Sequence, residues 1–268
     1  MLKDRVIPGL AMALLWLLLL LYGSFFFFWL VMVVAGIVGL AEYHRMTGVR
    51  LAGSGSALLL LAASLLPVLT SCGGSPAAVT AGLFAGFFCV ILLHFQYYDQ
   101  VADILSTLGI SALGMVYIAL ALAHLVLLRA LPDGGSWLIV LTAITAGSDT
   151  GAYFAGIRFG RTKLCPVISP GKTVAGVVGG LLAGIATGLL FCQLLLPSVS
   201  SWKMGLAAGL LVVVGICGDL AESVVKRAAG VKDSGAIFAG HGGLLDRIDS
   251  LLFAGPVLFY LLLFGGLP

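Results

Sequence analysis

Apolar residues run through this chain in blocks of about 20, separated by short polar punctuation. A block of that length crosses the hydrocarbon layer of a bilayer as one helix. We read nine of them: Val6–Tyr22, Phe25–Ala41, Leu51–Thr70, Ala77–Phe95, Ile104–Leu128, Trp137–Phe154, Val174–Leu196, Met204–Ala228 and Leu251–Phe264. The pattern predicts an all-α polytopic integral membrane protein. Only Gly23-Ser24 separates the first two spans, which predicts a tight helical hairpin. Lys3 and Arg5 precede the first run as they would in a secretory leader. No small-residue cleavage site follows and a second span begins at once, so the first helix is expected to stay. No polar stretch is long enough for a separate soluble domain. Residues 1–268 are therefore read as one integral membrane domain, with the N-terminal spans in 1–135 and the chemistry in 136–268.

Composition sharpens this reading. The chain has 268 residues, of which 61% are hydrophobic and 9% charged, and this excludes an ordinary soluble domain. The net charge of +3 matters less than its distribution. With the N-terminus in the cytoplasm, twelve Lys and Arg residues fall on the cytoplasmic side and only Arg129 and Lys203 outside. The positive-inside rule selects that orientation. The five cysteines are scattered, mostly within apolar runs, without CxxC pairing and are read as small buried hydrophobes. His124 in the fifth span is read as a helix-packing hydrogen-bond partner. The run Ser111-Ala-Leu-Gly114 predicts a kink.

Chemistry concentrates between Gly218 and Ser250. Asp219, Glu222, Asp233, Asp246 and Asp249 are five of the eleven acidic residues, and Lys226, Arg227, Lys232 and Arg247 stand among them. A charge within a membrane segment costs about 2.5–3.5 kcal/mol on insertion scales, so it is expected to be functional. On a helix, Asp219, Glu222, Ser223 and Lys226 share an arc about 100° wide. An i,i+4 pair of Glu222 with Lys226 alone would leave Asp219 and Ser223 unexplained. Lys232 to Gly243 should be a loop, in which Gly242-Gly243 would admit phosphate oxygens to backbone N–H groups. Asp246 and Asp249, spaced i,i+3, share a face at the start of the next helix. Two hard carboxylates beside a lysine-bearing, glycine-rich loop suit Mg²⁺ and phosphate.

A second polar cluster runs from Ser148-Asp149-Thr150-Gly151 to Phe159-Gly160-Arg161. Asp149 lies within an apolar span and requires a partner. Then come Ser169-Pro170-Gly171-Lys172-Thr173 and Gly176. Lysine and threonine at a helix start suit an anionic phosphate, although the spacing is not that of a full P-loop.

These segments resemble one family. Ser223-x-x-Lys226-Arg227-x4-Lys232-Asp233-x-Gly235, followed by His241-Gly242-Gly243-x-x-Asp246-Arg247-x-Asp249, is similar to the signature of the phosphatidate cytidylyltransferases, the CDP-diacylglycerol synthases. Asp149, Ala152, Tyr153, Gly156, Phe159, Gly160 and Arg161 match a second family segment. Ser169, Pro170, Lys172, Thr173 and Gly176 match a third, with Ala175 where the family usually carries Glu. Ala239 departs from the proline or glycine expected two residues before His241. The resemblance covers Asp149 to Asp249 well, and the first five spans only by hydropathy.

The resemblance implies that CTP and phosphatidic acid give CDP-diacylglycerol and pyrophosphate at the cell inner or plasma membrane, with the site facing the cytoplasm. Asp219, Asp246 and Asp249 are the candidate ligands for one or two Mg²⁺ ions. Together with Ser223 and Lys226 they form the candidate catalytic set. Asp149, Lys172, Thr173, Arg227, Lys232, Asp233, His241, Gly242, Gly243 and Arg247 are the candidate substrate contacts. Expected partners are CTP, phosphatidic acid and the bilayer, with no nucleic acid; a homodimer is compatible. A CTP-dependent polyprenol or phytol kinase would use related charges on an alcohol acceptor. An ion-coupled transporter would instead spread acidic residues near mid-membrane and show internal repeats, and no convincing repeat is present. The geometric expectation is that Asp149, Lys172, Lys226 and Asp246 line one polar cavity.

Overall fold

The computed structural model describes residues 3–49, 54–100, 103–235, 242–265 and 267. Helices dominate it: α1 (Lys3–Tyr22), α2 (Phe25–Thr47), α3 (Ser54–Ser64), α4 (Leu66–Thr70), α5 (Pro76–Gln96), α6 (Ile104–Gly114), α7 (Ala121–Ala130), α8 (Gly134–Phe159), α9 (Val174–Leu195), α10 (Ser201–Ala228) and α11 (Leu245–Leu263). Six spans among the described residues are long and apolar enough to cross a membrane, with α6 and α7 counted as one. The bent pair α3–α4 makes a seventh, angled by 46° where the chain meets Pro67. The described apolar part of α1, Gly9–Tyr22, is shorter. In α11 the first turns carry Asp246, Arg247 and Asp249, so only its later part is purely apolar. The chain is thus an all-α multi-pass membrane protein. Every one of the nine apolar blocks contains helix, and boundaries differ mainly where helices run past the apolar block into polar sequence.

Two departures from the sequence reading stand out. The connection between α8 and α9 is a β-hairpin, β1 (Lys163–Cys165) against β2 (Ser169–Thr173), with Lys163 opposite Thr173. Pro166 and Pro170 cannot donate helical hydrogen bonds, and the short antiparallel ladder pairs backbone groups that a helix could not. The predicted kink after Gly114 is a π-helical turn, Met115–Leu120. Gly114 packs against the ring of Tyr43, a place with no room for a side chain.

Small residues set the packing around α8, α9 and α10. Gly176, Gly180, Gly184 and Gly188 recur every fourth residue on α9, and all are buried. They meet Ser148, Ile144 and Ala152 of α8, and Val212 and Ala208 of α10. With no hydrophobic drive between helices in lipid, such close approach maximises dispersion contact. Thr187 adds an interhelical hydrogen bond from its Oγ1 to the Ala143 carbonyl, 3.0 Å. His124 fulfils its expected role: its Nε2 lies 3.2 Å from the Tyr260 hydroxyl across α7 and α11.

The helices alternate in direction, which separates two polar levels. At one level Arg129 donates to the Gly23 carbonyl and Lys203 to the Leu267 carbonyl. At the other level lie the end of α2, the end of α10, the β-hairpin and the start of α11.

Candidate active site

The end of α8, the hairpin and α10 enclose a cavity of about 520 Å³. It is lined by Asp149, Lys163, Lys172, Thr173, Asp219 and Ser250, with apolar residues such as Ile157 and Val177 along its walls. Lys172 rises from β2 and places its Nζ 2.6 Å from Asp219 Oδ2 on α10. The ion pair is partly open, with side chains 22% and 35% exposed. Thr173 is the N-cap of α9: its hydroxyl accepts the Gly176 N–H at 3.0 Å. This satisfies one of the free N–H groups at a helix start. The sequence segments around Asp149 and Lys172 therefore converge on one wall because the α9 glycines draw α8 and α9 together. Arg129 lies at the opposite level, bonded to Gly23, and so does not pair with Asp149.

Beside the cavity sits a second charged cluster. Lys226 Nζ lies 2.8 Å from Glu222 Oε2, one turn back on α10, and 2.6 Å from Asp246 Oδ1 on α11. The Glu222–Lys226 pair exists, but as one arm of a bridge between helices. Both Asp246 oxygens have partners. Oδ2 accepts from Ser234 N–H (3.0 Å), Ser234 Oγ–H (2.9 Å) and Gly243 N–H (2.8 Å). The described donors thus take both oxygens of a residue expected to bind metal, and Asp246 anchors the signature loop. Glu222 is 1% exposed, and its second oxygen, Oε1, has no hydrogen-bond partner among the described residues.

Glu42, from the far end of the sequence, completes this cluster. It is 2% exposed near the end of α2 and accepts Leu244 N–H at 3.0 Å and Leu245 N–H at 3.1 Å. Ser234 Oγ lies 3.4 Å from it. A carboxylate at the first free N–H groups of α11 satisfies donors that have no partner within the helix, and it complements the helix dipole. Sequence reading missed Glu42 because it stands alone in the second span. The available signal was its charge within an apolar block, the same signal that singled out Asp149.

This arrangement revises the reading of the glycine pair. Gly242 has φ +79°, and a side chain there would strike Asp246. A side chain on Gly243 would strike Ser234 and Glu42. The Gly243 N–H expected for phosphate is spent on Asp246. The glycines leave room for protein carboxylates.

The expected single cavity is therefore divided. Asp149, Lys172, Thr173 and Asp219 line it, whereas Lys226 and Asp246 form the adjoining wall. Asp249 is half-buried on α11 and lies in the electrostatic field of Asp219, Glu222 and Asp149, which puts it at the seam. Exposed Arg247 likewise acts on Asp149. Ser223 is half-buried on α10 between the two groups in sequence. Arg227 donates to the Ile168 carbonyl of the hairpin turn and to Val231, fastening the hairpin to the end of α10. Lys232 and Asp233 are exposed on the loop, and His241 lies outside the described residues.

Among the described residues, no three carboxylate, histidine or cysteine groups converge as a ready metal cage. The donor chemistry nevertheless suits a hard cation. Asp149, Asp219, Glu222 and Asp249 act on one another, and one buried carboxylate oxygen is unsatisfied. Mg²⁺ is commonly held by one or two carboxylates plus substrate phosphates and water, not by a complete protein cage.

A helical membrane protein with lysines and surplus carboxylates around a cavity at one polar level is the architecture of an enzyme that handles an anionic substrate beside lipid. The sequence matches the cytidylyltransferase family over residues 3–264, and the chain belongs to that family. It is 34% identical to the phosphatidate cytidylyltransferase of Bacillus subtilis (strain 168) over 267 residues, 97% of either chain. It is 41% identical to that of Brucella suis over 193 residues, 71% of this chain and 67% of the relative. An uncharacterized Escherichia coli (strain K12) protein, YnbB, is 44% identical over 153 residues, and the match spans about half of its length (51%).

Proposed function

We propose that this enzyme makes CDP-diacylglycerol and pyrophosphate from CTP and phosphatidic acid. The observation that carries this reading is the Lys172–Asp219 pair at a cavity wall shared with Asp149. It joins two of the family segments to Asp219, which stands four residues before the signature segment that begins at Ser223.

In this reading an oxygen of the lipid phosphate attacks the α-phosphorus of CTP. The bond from that phosphorus to the bridging oxygen breaks, and pyrophosphate leaves. The reaction needs no protein nucleophile. The chain must bring two polyanions together and hold them in line, so positioning and charge compensation dominate. Lys172 and Lys163 face the cavity and are suited to the triphosphate. Asp219 and Asp249, with Asp149 nearby, would hold Mg²⁺. When bound, the ion offsets phosphate charge and orients the leaving group. The Glu42–Ser234–Asp246–Lys226 cluster keeps the signature loop and the start of α11 in register with α10.

We place the N-terminus and the site on the cytoplasmic side of the inner or plasma membrane, with nine spans. The positive-inside distribution supports this orientation. It also puts the site where nucleotides are found.

The test is purified protein in detergent with radiolabelled CTP and phosphatidic acid. The expected products are CDP-diacylglycerol and pyrophosphate, with strict dependence on a divalent cation. Full activity in excess chelator would remove the metal from the reading. A phosphorylated alcohol with release of CDP would establish the kinase chemistry instead.

A further inference from the structure

A second cavity, of about 510 Å³, lies between α10, α11 and the π-helical turn. That is within the range of small-molecule sites. At 100° per residue, Ala221 and Val225, which line it, point to the side of α10 opposite Val212, Gly215 and Asp219, which line the first cavity. Its walls are almost wholly apolar, with Phe253 and Tyr260 contributed by α11. Leu113 and Val116 at its edge are about half exposed, at 51% and 48%, on the surface that faces lipid.

Three polar side chains interrupt this apolar lining, Tyr117, His124 and Tyr260, and the last two are hydrogen-bonded to each other. Tyr117 stands in the π-helical turn, is 9% exposed and packs edge-on against Phe253, ring centroids 5.8 Å apart. Its hydroxyl is buried and has no hydrogen-bond partner among the described residues. A buried hydroxyl left without a partner is costly, so a bound acceptor there would be favoured. The same hydroxyl lies in the field of Glu222, Asp249, Asp219 and Asp246. In the field of four carboxylates, a neutral acceptor suits it better than a phosphate. π turns also recur at functional sites.

We infer that this groove takes an acyl chain of the phosphatidate substrate, with the Tyr117 hydroxyl donating to the ester carbonyl at the head of that chain. The inference rests on the lipid substrate proposed above. The nucleotide cavity and the acyl groove then flank the carboxylate seam from opposite sides of α10. The phosphate headgroup is carried to the seam while the chain stays in the apolar groove.

The experiment uses the full protein and phosphatidate bearing a photoreactive diazirine in its acyl chain. Crosslinks should map to the 113–121 region and to α11. Unlabelled phosphatidate should compete for them, and phosphatidylcholine with the same chains should not. Equal competition by phosphatidylcholine, or crosslinks elsewhere, would overturn the assignment. A second arm compares ester-linked with ether-linked phosphatidate, since the ether lacks the carbonyl. The wild-type protein should show a KM several-fold lower for the ester, and Tyr117→Phe should erase that difference while the KM for CTP stays unchanged. An ester preference that survives in Tyr117→Phe would exclude the hydroxyl contact. Val116→Trp, at the rim, should raise the KM for dioleoyl phosphatidate several-fold and leave that for dihexanoyl phosphatidate unchanged; equal effects on both would reject the groove. Crosslinking reads binding without turnover, so its failure is separable from a failure of the proposed reaction.

Discussion

Asp246 and Asp249 are one turn apart on α11, yet their surroundings assign them different work. Asp246 accepts from Lys226, Ser234 and Gly243, whereas among the described residues Asp249 has only a bond from its neighbour's backbone, Ser250 N–H. Asp249→Asn should lower kcat by about a hundredfold or more, the loss expected of a group that stabilises charge in the transition state. Its thermal unfolding should stay near wild type. Asp246→Asn turns an amide toward Lys226 and should lose stability as well as activity, by roughly 1–3 kcal/mol. Calorimetry in detergent beside a turnover assay separates the two; equal destabilisation of both variants would dissolve the distinction. Glu42→Gln belongs with Asp246. Its amide cannot accept from both Leu244 and Leu245 N–H, so melting temperature and kcat should fall together although Glu42 lies outside the cavity. Unchanged stability of Glu42→Gln would show that the buried contact does not hold the loop.

At the scale of elements, the site depends on how closely α9 approaches its neighbours. A methyl group added at Gly184 would run into Val212 and the Ile144 carbonyl, whereas at Gly205 the nearest atom, on Leu189, is 4.0 Å away. Gly184→Ala should therefore destabilise by about 1–3 kcal/mol through overpacking. Gly205→Ala should be neutral or slightly stabilising, because alanine favours helix. Comparable unfolding temperatures for the two variants would contradict this packing account. The β-hairpin was hidden from hydropathy because its residues are few and mixed in polarity. It matters because β2 carries Lys172 to Asp219, and Arg227 fastens its turn.

For the whole molecule, the alternating helices set two polar levels, and native cysteines mark both. Cys165 lies in β1 at the site level, and exposed Cys72 lies in the turn after α4, where Gly74 meets Ala130 next to Arg129 at the other level. A membrane-impermeant maleimide should reach Cys165 in inverted vesicles and Cys72 in right-side-out vesicles. The reverse result would invert the orientation. The sequence by itself determined that the chain crosses a membrane repeatedly, since apolar blocks of about 20 residues have few other stable states. It also determined which segments carry chemistry, because charges such as Asp149 and Asp219 persist in apolar surroundings only with a function or a partner. Pairing was left to the tertiary structure. Lys172 meets Asp219, Lys226 bridges Glu222 to Asp246, and Glu42 caps a helix some 200 positions away. A linear pattern reports how much a residue costs to bury, but not which distant donor offsets that cost. Only the folded helices, drawn together by glycine contacts, divided the polar residues between a cavity wall and a loop anchor.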